Sequence, residues 1–350
     1  MDRSQDAKPW MHAYAGVPVA LTGASGFVGR QLLRRLQEVG ALVTVLAREP
    51  ARLDPQLVSR CTVVQGDLLD RAALARLLSG AAHVFHCAAD VATWGHFENY
   101  LSTNVQGVQA LLDELCKQRS TLQRLVHIST LDVYGFPRLA VSEDTPLEPV
   151  RYGYGESKRL GDLLVQSFCR QQALPYVVMR AGNIVGPGSP FVSRIASALR
   201  TGPMLCIDGG RHHAGLLDVE NLLDVLLWAG ISTSAAGQVY NVRDPWAVCW
   251  SDYLRDFRQG SGLKGWMLDL DYRLAMPLAS ALSATWRWLD LQSEPLLHPL
   301  IVQIFGRTCG HSIDKLLAHG APIGRVDYAS SMRESLAWLA AQPSFTQKKI

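Results

Sequence analysis

Tyr154 and Lys158, four residues apart in the stretch Tyr-Gly-Glu-Ser-Lys, are the residues of this chain whose types and spacing point most directly to chemistry. On a helix, residues four apart share one face. An ammonium one turn from a phenol favours the phenolate, so the spacing predicts a Tyr154 whose pKa is lowered by Lys158. A tyrosine tuned in this way exchanges a proton with an alcohol or a carbonyl near neutral pH, which an ordinary tyrosine does poorly. The pattern recurs by chance in many chains; a glycine-rich loop upstream makes it specific here.

That loop reads Thr22-Gly23-Ala24-Ser25-Gly26-Phe27-Val28-Gly29. An apolar run at 17–21 precedes it, and Leu32, Leu33 and Leu36 recur at helical spacing after it, so a strand, a glycine turn and a helix follow one another. This is the context in which a dinucleotide is held. Gly23 permits the tight turn, Gly26 lets the backbone approach a pyrophosphate, and Gly29 lets helix and strand pack closely. The first N–H groups of the helix, and the positive end of its dipole, face the phosphates.

The loop spacing G-x-x-G-x-x-G with a downstream Y-x-x-x-K resembles the short-chain dehydrogenase/reductase superfamily, in its extended branch. Further segments carry the resemblance in order. Gly66-Asp67-Leu68 resembles the turn whose acidic residue meets the adenine. His86-Cys87-Ala88-Ala89 resembles the strand end beside the cofactor. Asn104-Val105-Gln106-Gly107 resembles the helix start with its structural asparagine. His127 to Gly135 resembles the strand carrying the catalytic hydroxyl, and Arg180 to Pro187, with Ala181, Asn183 and Ile184, the segment lining the nicotinamide. The match runs over about 18–339 and is thinnest over about 244–306.

The resemblance implies an α/β, Rossmann-type doubly wound parallel sheet with a smaller, mostly helical C-terminal substrate lobe. The expected division is an N-terminal extension over 1–15, a nucleotide-binding domain over 16–186 and a lobe over 187–345 with segments returning to the sheet. It also implies that Tyr154 transfers the proton and that Lys158 lowers its pKa and bonds the nicotinamide ribose. Thr130, five residues before Gly135, would hold the substrate oxygen, with Ser129 a near competitor. Gly153 and Ala181 stand where the branch commonly has proline.

The second strand, 42–46, is followed by Ala47 and Arg48 where an acidic residue would read the ribose of NAD. A guanidinium grips a 2′-phosphate with two hydrogen bonds. The expected cofactor is therefore NADP(H), with NAD(H) remaining if Glu49 takes the acidic role.

Composition excludes several classes. The chain has 350 residues, 48% apolar and 19% charged, as a folded globular protein does. A net charge of +3 and dispersed arginines argue against nucleic acid. Seven cysteines without C-x-x-C pairs give no metal or disulfide framework and suit a reducing, cytoplasmic location. The first ten residues lack the apolar core of a signal peptide. Strands are predicted over 17–21, 42–46, 62–64, 83–86, 125–129, 176–179 and 237–242, with helices between them and an N-cap at Asp218.

The same constellation serves dehydrogenases, epimerases and sugar-nucleotide dehydratases. Similar dehydratases carry two carboxylates directly after the threonine; here Leu131 replaces the first and Asp132 alone remains, which argues against dehydration. Residues 272–291, rich in Leu, Trp and Ala, and the run His311 to Leu316 resemble the 3β-hydroxysteroid dehydrogenase-like branch. The expected substrate is thus a hydrophobic ketone or secondary alcohol, sterol-, terpenoid- or polyketide-like. Residues 272–291 also read as a buried helix kinked at Pro277, or as a peripheral membrane contact with Trp286, Trp288, Arg273 and Arg287 at the lipid surface. Two other functions stay open: a sugar-nucleotide epimerase with tightly held NAD, and a non-catalytic nucleotide-sensing protein. The resemblance implies a homodimer.

Overall fold

The structure, a computed structural model, describes residues 12–291 and 293–343. The predicted N-terminal extension therefore lies outside the described residues up to residue 11, as do residues 344–345 of the predicted lobe. Eleven strands are found among the described residues: β1 Pro18–Thr22, β2 Leu42–Ala47, β3 Thr62–Gln65, β4 His83–His86, β5 Arg124–Thr130, β6 Tyr176–Ala181, β7 Asn183–Val185, β8 Met204–Ile207, β9 Leu216–Asp218, β10 Gln238–Val242 and β11 Met267–Leu270. Seven of them form one sheet in the order β10-β6-β5-β4-β1-β2-β3. Every pairing in it is parallel. The remaining strands form two short parallel pairs, β7 with β9 and β8 with β11.

Period-two alternation gives the sheet two buried faces. Val19, Leu21 and Val126 face a core that also holds Leu32 and Leu36 of the helix Phe27–Glu38 and Leu226 of the helix Val219–Ile231. Ala20 and Leu125 face the opposite core, with Leu74, Leu111 and Val165. Parallel strands covered on both sides read as nearly unbroken apolar runs, which is why they are visible in the sequence. Tyr14, placed by sequence in the extension, belongs to the first core: it is buried and its hydroxyl donates to Leu227 O at 2.7 Å.

The chain leaves β1 toward β2 and β3 on one side and returns to β4 on the other. The crevice at the carboxyl ends of β1 and β4 is where such sheets bind ligands. After β6 the chain builds a lobe around Leu199, Trp250, Phe257 and Phe305, and β10 comes back to pair with β6. Asp218 caps the helix Val219–Ile231 by accepting from Glu220 N at 2.8 Å, as predicted.

The helix Gly153–Gln171, which carries Tyr154 and Lys158, is fastened to the sheet by a buried ion pair. Arg180 of β6 donates through Nε and Nη2 to the two Asp162 carboxylate oxygens, both at 3.0 Å. Its Nη1 donates to the Tyr134 hydroxyl at 2.7 Å, and that hydroxyl donates to Asn241 Oδ1 of β10 at 2.8 Å. Removing one partner strands the other charge without water. We predict that Asp162→Ala lowers unfolding stability by about 3–5 kcal/mol, measured by urea denaturation; a loss below about 1 kcal/mol would show that the clamp contributes little.

Candidate active site

The nucleotide loop closes as its sequence suggests. Gly23 has φ +78°, and a Cβ there would lie 2.6 Å from Ala88 N of the next strand end. The helix Phe27–Glu38 starts at Gly26 with no side-chain cap and no acidic residue in its first turn. The amides of Phe27 and Val28 are thus among the first-turn N–H groups that lack helical partners. The Phe27 ring lies against Gly188 and Val28 packs on the core, so these two offer backbone rather than side chain.

A cleft of about 230 Å³ runs from this loop along the sheet edge. The Gly23, Ser25 and Gly26 loop at the end of β1 lies between Ala88 and Ala89 at the end of β4 on one side and Arg48, Asp67 and Leu68 at the ends of β2 and β3 on the other. Uncapped amides, small residues and a cation together fit a dinucleotide. Glu49, the acidic alternative to Arg48, is paired with Arg52 at 3.0 Å and does not line the cleft. Asn104 lies deeper. Its side chain exchanges hydrogen bonds with the backbone of Asp90 at 2.8 and 2.9 Å and donates to Ser157 Oγ at 2.9 Å. It therefore joins the strand-end loop to the Tyr154 helix. Ala181 is buried at the end of β6, whereas Asn183 faces a separate apolar cavity and Ile184 accepts from Ser189 Oγ through its carbonyl.

Tyr154, Lys158 and Thr130 converge at the carboxyl end of β5. The Thr130 hydroxyl hydrogen-bonds the Tyr154 phenol and also accepts from Asp132 N at 3.2 Å. Ser129, the competitor, is adjacent on the strand and so points to the opposite face; its hydroxyl is buried and finds no partner among the described residues. The same is true of both ring nitrogens of His127, which stacks on His86 at 5.2 Å.

The electrostatics differ from the sequence expectation. Burial, then the nearby Asp132 carboxylate, push the Tyr154 pKa above its ordinary value, and the Thr130 hydrogen bond only partly offsets them. The Lys158 ammonium donates to Ile128 O at 2.8 Å and is itself buried. Burial brings the Lys158 pKa down to about 8. One-turn spacing thus does not by itself make an acidic phenol; here it makes a protonated one. Cys87, beside Lys158 at the cleft, is held as a thiol, its pKa raised by burial to about 12.

Sequence reasoning treated Asp132 as a leftover carboxylate, but it is part of this cluster. Burial raises its pKa from 3.8 to about 7, and its charge acts on Tyr154, Tyr152 and Cys309. Tyr152, ahead of the helix, donates to Asp132 O at 3.1 Å.

Beyond Asn183 lies an apolar cavity of about 640 Å³, walled by Phe191, Ile195, Leu278, Leu282, Leu297 and Phe305. Asn183, on its wall, follows Ala181, the strand residue paired with Thr130, by two positions. Across its rim Glu294 accepts from Thr93 Oγ1 at 2.6 Å and from the Arg194 guanidinium, and contacts His298 Nε2 at 2.7 Å. No sequence signal marked this rim, because its members come from three distant segments. The helix Tyr272–Trp288 contributes only some of its residues to the wall and is not the buried helix of one sequence reading: Ala275, Ala279 and Ser283 are its buried positions, and Leu274 and Trp288 are exposed.

The NAD dependent epimerase/dehydratase family model matches residues 19–242. The chain belongs to that family. Across 89% of its length the family member is 27% identical to a 4-hydroxy-2-methyl-3-oxo-4-farnesyl-3,4-dihydroquinoline-1-oxide ketoreductase of Stigmatella aurantiaca, covering 93% of it. It is 28% identical to the human 3 beta-hydroxysteroid dehydrogenase type 7 over 93% of this chain and 96% of that one. Among solved structures, an epimerase of Methanothermobacter thermautotrophicus superposes with a TM-score of 0.74 at 19% identity, covering 97% of this chain and 96% of that one. A UDP-glucuronic acid 4-epimerase of Bacillus cereus in complex with NAD gives 0.72 at 21% identity, over 93% and 96%. The protein is an NAD(P)-dependent enzyme of the oxidoreductase type.

Because the raised Asp132 pKa makes its ionised form unfavourable in the fold, the stability it contributes is complete below about pH 4 and lost as pH rises through about 7. Asp132→Asn should therefore melt above the parent protein at about pH 8, by on the order of 2 kcal/mol, with the gap closing at about pH 5. A gap that does not change with pH in thermal melts would place the carboxylate in contact with solvent.

Proposed function

We propose that this enzyme is an NADP(H)-dependent reductase that interconverts a hydrophobic ketone and its secondary alcohol. The observation that carries the reading is the apolar cavity of about 640 Å³ lined by Asn183, two residues beyond Ala181, the register partner of Thr130. Its walls reward burial of hydrocarbon at about 25 cal/mol per Å², and a sugar nucleotide would leave its hydroxyls unpaired against them. The full-length similarity to a ketoreductase and a hydroxysteroid dehydrogenase supports the same substrate class.

When bound, a nicotinamide dinucleotide supplies the hydride equivalent. The chain's own residues do the rest. Thr130 donates a hydrogen bond to the carbonyl oxygen. Tyr154, kept protonated by burial, gives that oxygen its phenolic proton. The buried Lys158 ammonium offsets the negative charge left on the tyrosine oxygen. Arg48 in the cleft, with Glu49 turned to Arg52, supports NADP(H) over NAD(H).

A second reading is a sugar-nucleotide epimerase. One observation favours it: a more polar cavity of about 650 Å³ beside Tyr152 and Gly153, lined by Arg151 and Arg287. Incubating the protein with UDP-sugars, without added redox partner, and detecting an epimeric product would establish it over the reductase.

For the reductase, NADPH oxidation with bulky apolar ketones is the assay. Tyr154→Phe should lower kcat by at least about 10²-fold while NADPH affinity stays within about twofold. Unimpaired turnover in that variant would remove Tyr154 as the acid. Arg48→Ala should raise the KM for NADPH by about tenfold and leave that for NADH nearly unchanged; equal effects on both cofactors would remove the phosphate contact.

A further inference from the structure

The helix Tyr272–Trp288 has two faces of different fate. Ala275, Ala279 and Ser283 pack inward. Leu274, Leu278, Ala281, Thr285 and Trp288 recur every three or four residues and form one stripe on the other side. That stripe is uncovered: Leu274 is 71% exposed and Trp288 83%. The chain after it continues the apolar surface with exposed Leu289 and Leu291 and with Leu296 at 84%. Large apolar side chains exposed together mark an interaction surface, whereas single ones do not.

Cations border the stripe. Arg273 and Arg287 lie on the same helix and are exposed. Arg273, Arg138, Arg211 and Arg307 line a groove of about 600 Å³ around the helix start. The two carboxylates there are engaged: Asp208 pairs with Arg211 at 3.2 Å, and Asp271 accepts from Arg273 N at 2.7 Å as the helix cap. The groove therefore carries excess positive charge beside an apolar ridge. Two residues belong both to this surface and to the substrate cavity: Leu278 and Leu296 are exposed and also line the apolar wall. No helix among the described residues is long and apolar enough to cross a membrane.

We propose that this face docks on the surface of an anionic phospholipid bilayer, and that the apolar cavity receives its substrate from the lipid through the mouth bounded by Leu278 and Leu296. Leucines and a tryptophan enter the acyl boundary while arginines meet lipid phosphates, the division of labour of an interfacial helix. A second copy of the chain is the less fitting occupant, since an isologous contact would bring two sets of these arginines together. The docking stands on its own; only the identity of the cavity's occupant rests on the reductase reading.

The test is co-sedimentation of the full chain with vesicles of phosphatidylcholine, alone and mixed with phosphatidylglycerol. The expected result is binding to the mixed vesicles that weakens as salt rises. Leu274→Glu combined with Trp288→Glu should cut the bound fraction by at least about tenfold. That variant should keep its melting temperature and its turnover of a small water-miscible ketone, since neither position lines the cleft or the cavity. Failure of the parent protein to bind mixed vesicles would overturn the proposal. So would undiminished binding by the variant, or a parent dimer that the variant converts to monomer, which would assign the face to a second copy. Vesicle binding by a protein inactive on every ketone tried would instead overturn the reductase and leave the docking in place.

Discussion

The Asp162–Arg180 pair is the constraint from which the active site takes its geometry. It joins the helix bearing Tyr154 and Lys158 to β6, the strand that pairs with β5 and so with Thr130. Two charges taken out of water are repaid only by close, complete geometry. Here the pair is bidentate, and the remaining guanidinium nitrogen reaches Tyr134, which in turn reaches β10. A helix, three strands and an aromatic ring are thereby held in one register. Asn104 does the same from the cofactor side through Ser157. The reacting hydroxyls sit between these two fixtures.

Within that frame, burial decides the protonation states. The phenol, the lysine and Asp132 are each shifted toward their neutral forms, and for each the largest cause is desolvation. A site that disfavours standing charge is consistent with its surroundings: little water reaches these buried groups, and an ionised form there is costly. The same exclusion of water makes any charge that develops during reaction strongly felt. Although partial burial works against it, Glu294 at the cavity rim is held below the ordinary carboxylate range by its hydrogen bonds to His298 and Thr93 and by the Arg194 guanidinium.

How much of this was legible in the sequence follows from where each signal is stored. Strand positions came within a residue or two because sheets covered on both sides leave apolar runs, as 42–47 and 176–181 do. The loop from Gly23 to Gly29 was legible because backbone geometry there demands glycine. Arg48 was found from its place at the end of the second strand and Asp67 from the family resemblance, and both line the cleft. What failed were properties created by packing. The spacing of Tyr154 and Lys158 was read as charge coupling, but it does not say that Lys158 turns to Ile128 O. Asn183, which the resemblance sets beside the nicotinamide, also lines the apolar cavity, which no sequence signal marked. Residues 272–291 allowed three readings because composition alone does not say which stripe of a helix is covered.

The return of β10 to the edge of the sheet has a consequence for how the polypeptide reaches its native form. Until Gln238–Val242 has been synthesised, β6 is an outermost strand with open amides and carbonyls along its free side. The first part of the lobe, with Val192, Leu199 and Ile207, lies between β6 and β10 in the chain, so it emerges from the ribosome while that edge is still bare. The lobe is therefore spliced into the nucleotide-binding sheet rather than appended to it. Fragments ending between β6 and β10 would carry a template for sheet-to-sheet adhesion, and only chains that continue past Val242 can shield it from their neighbours.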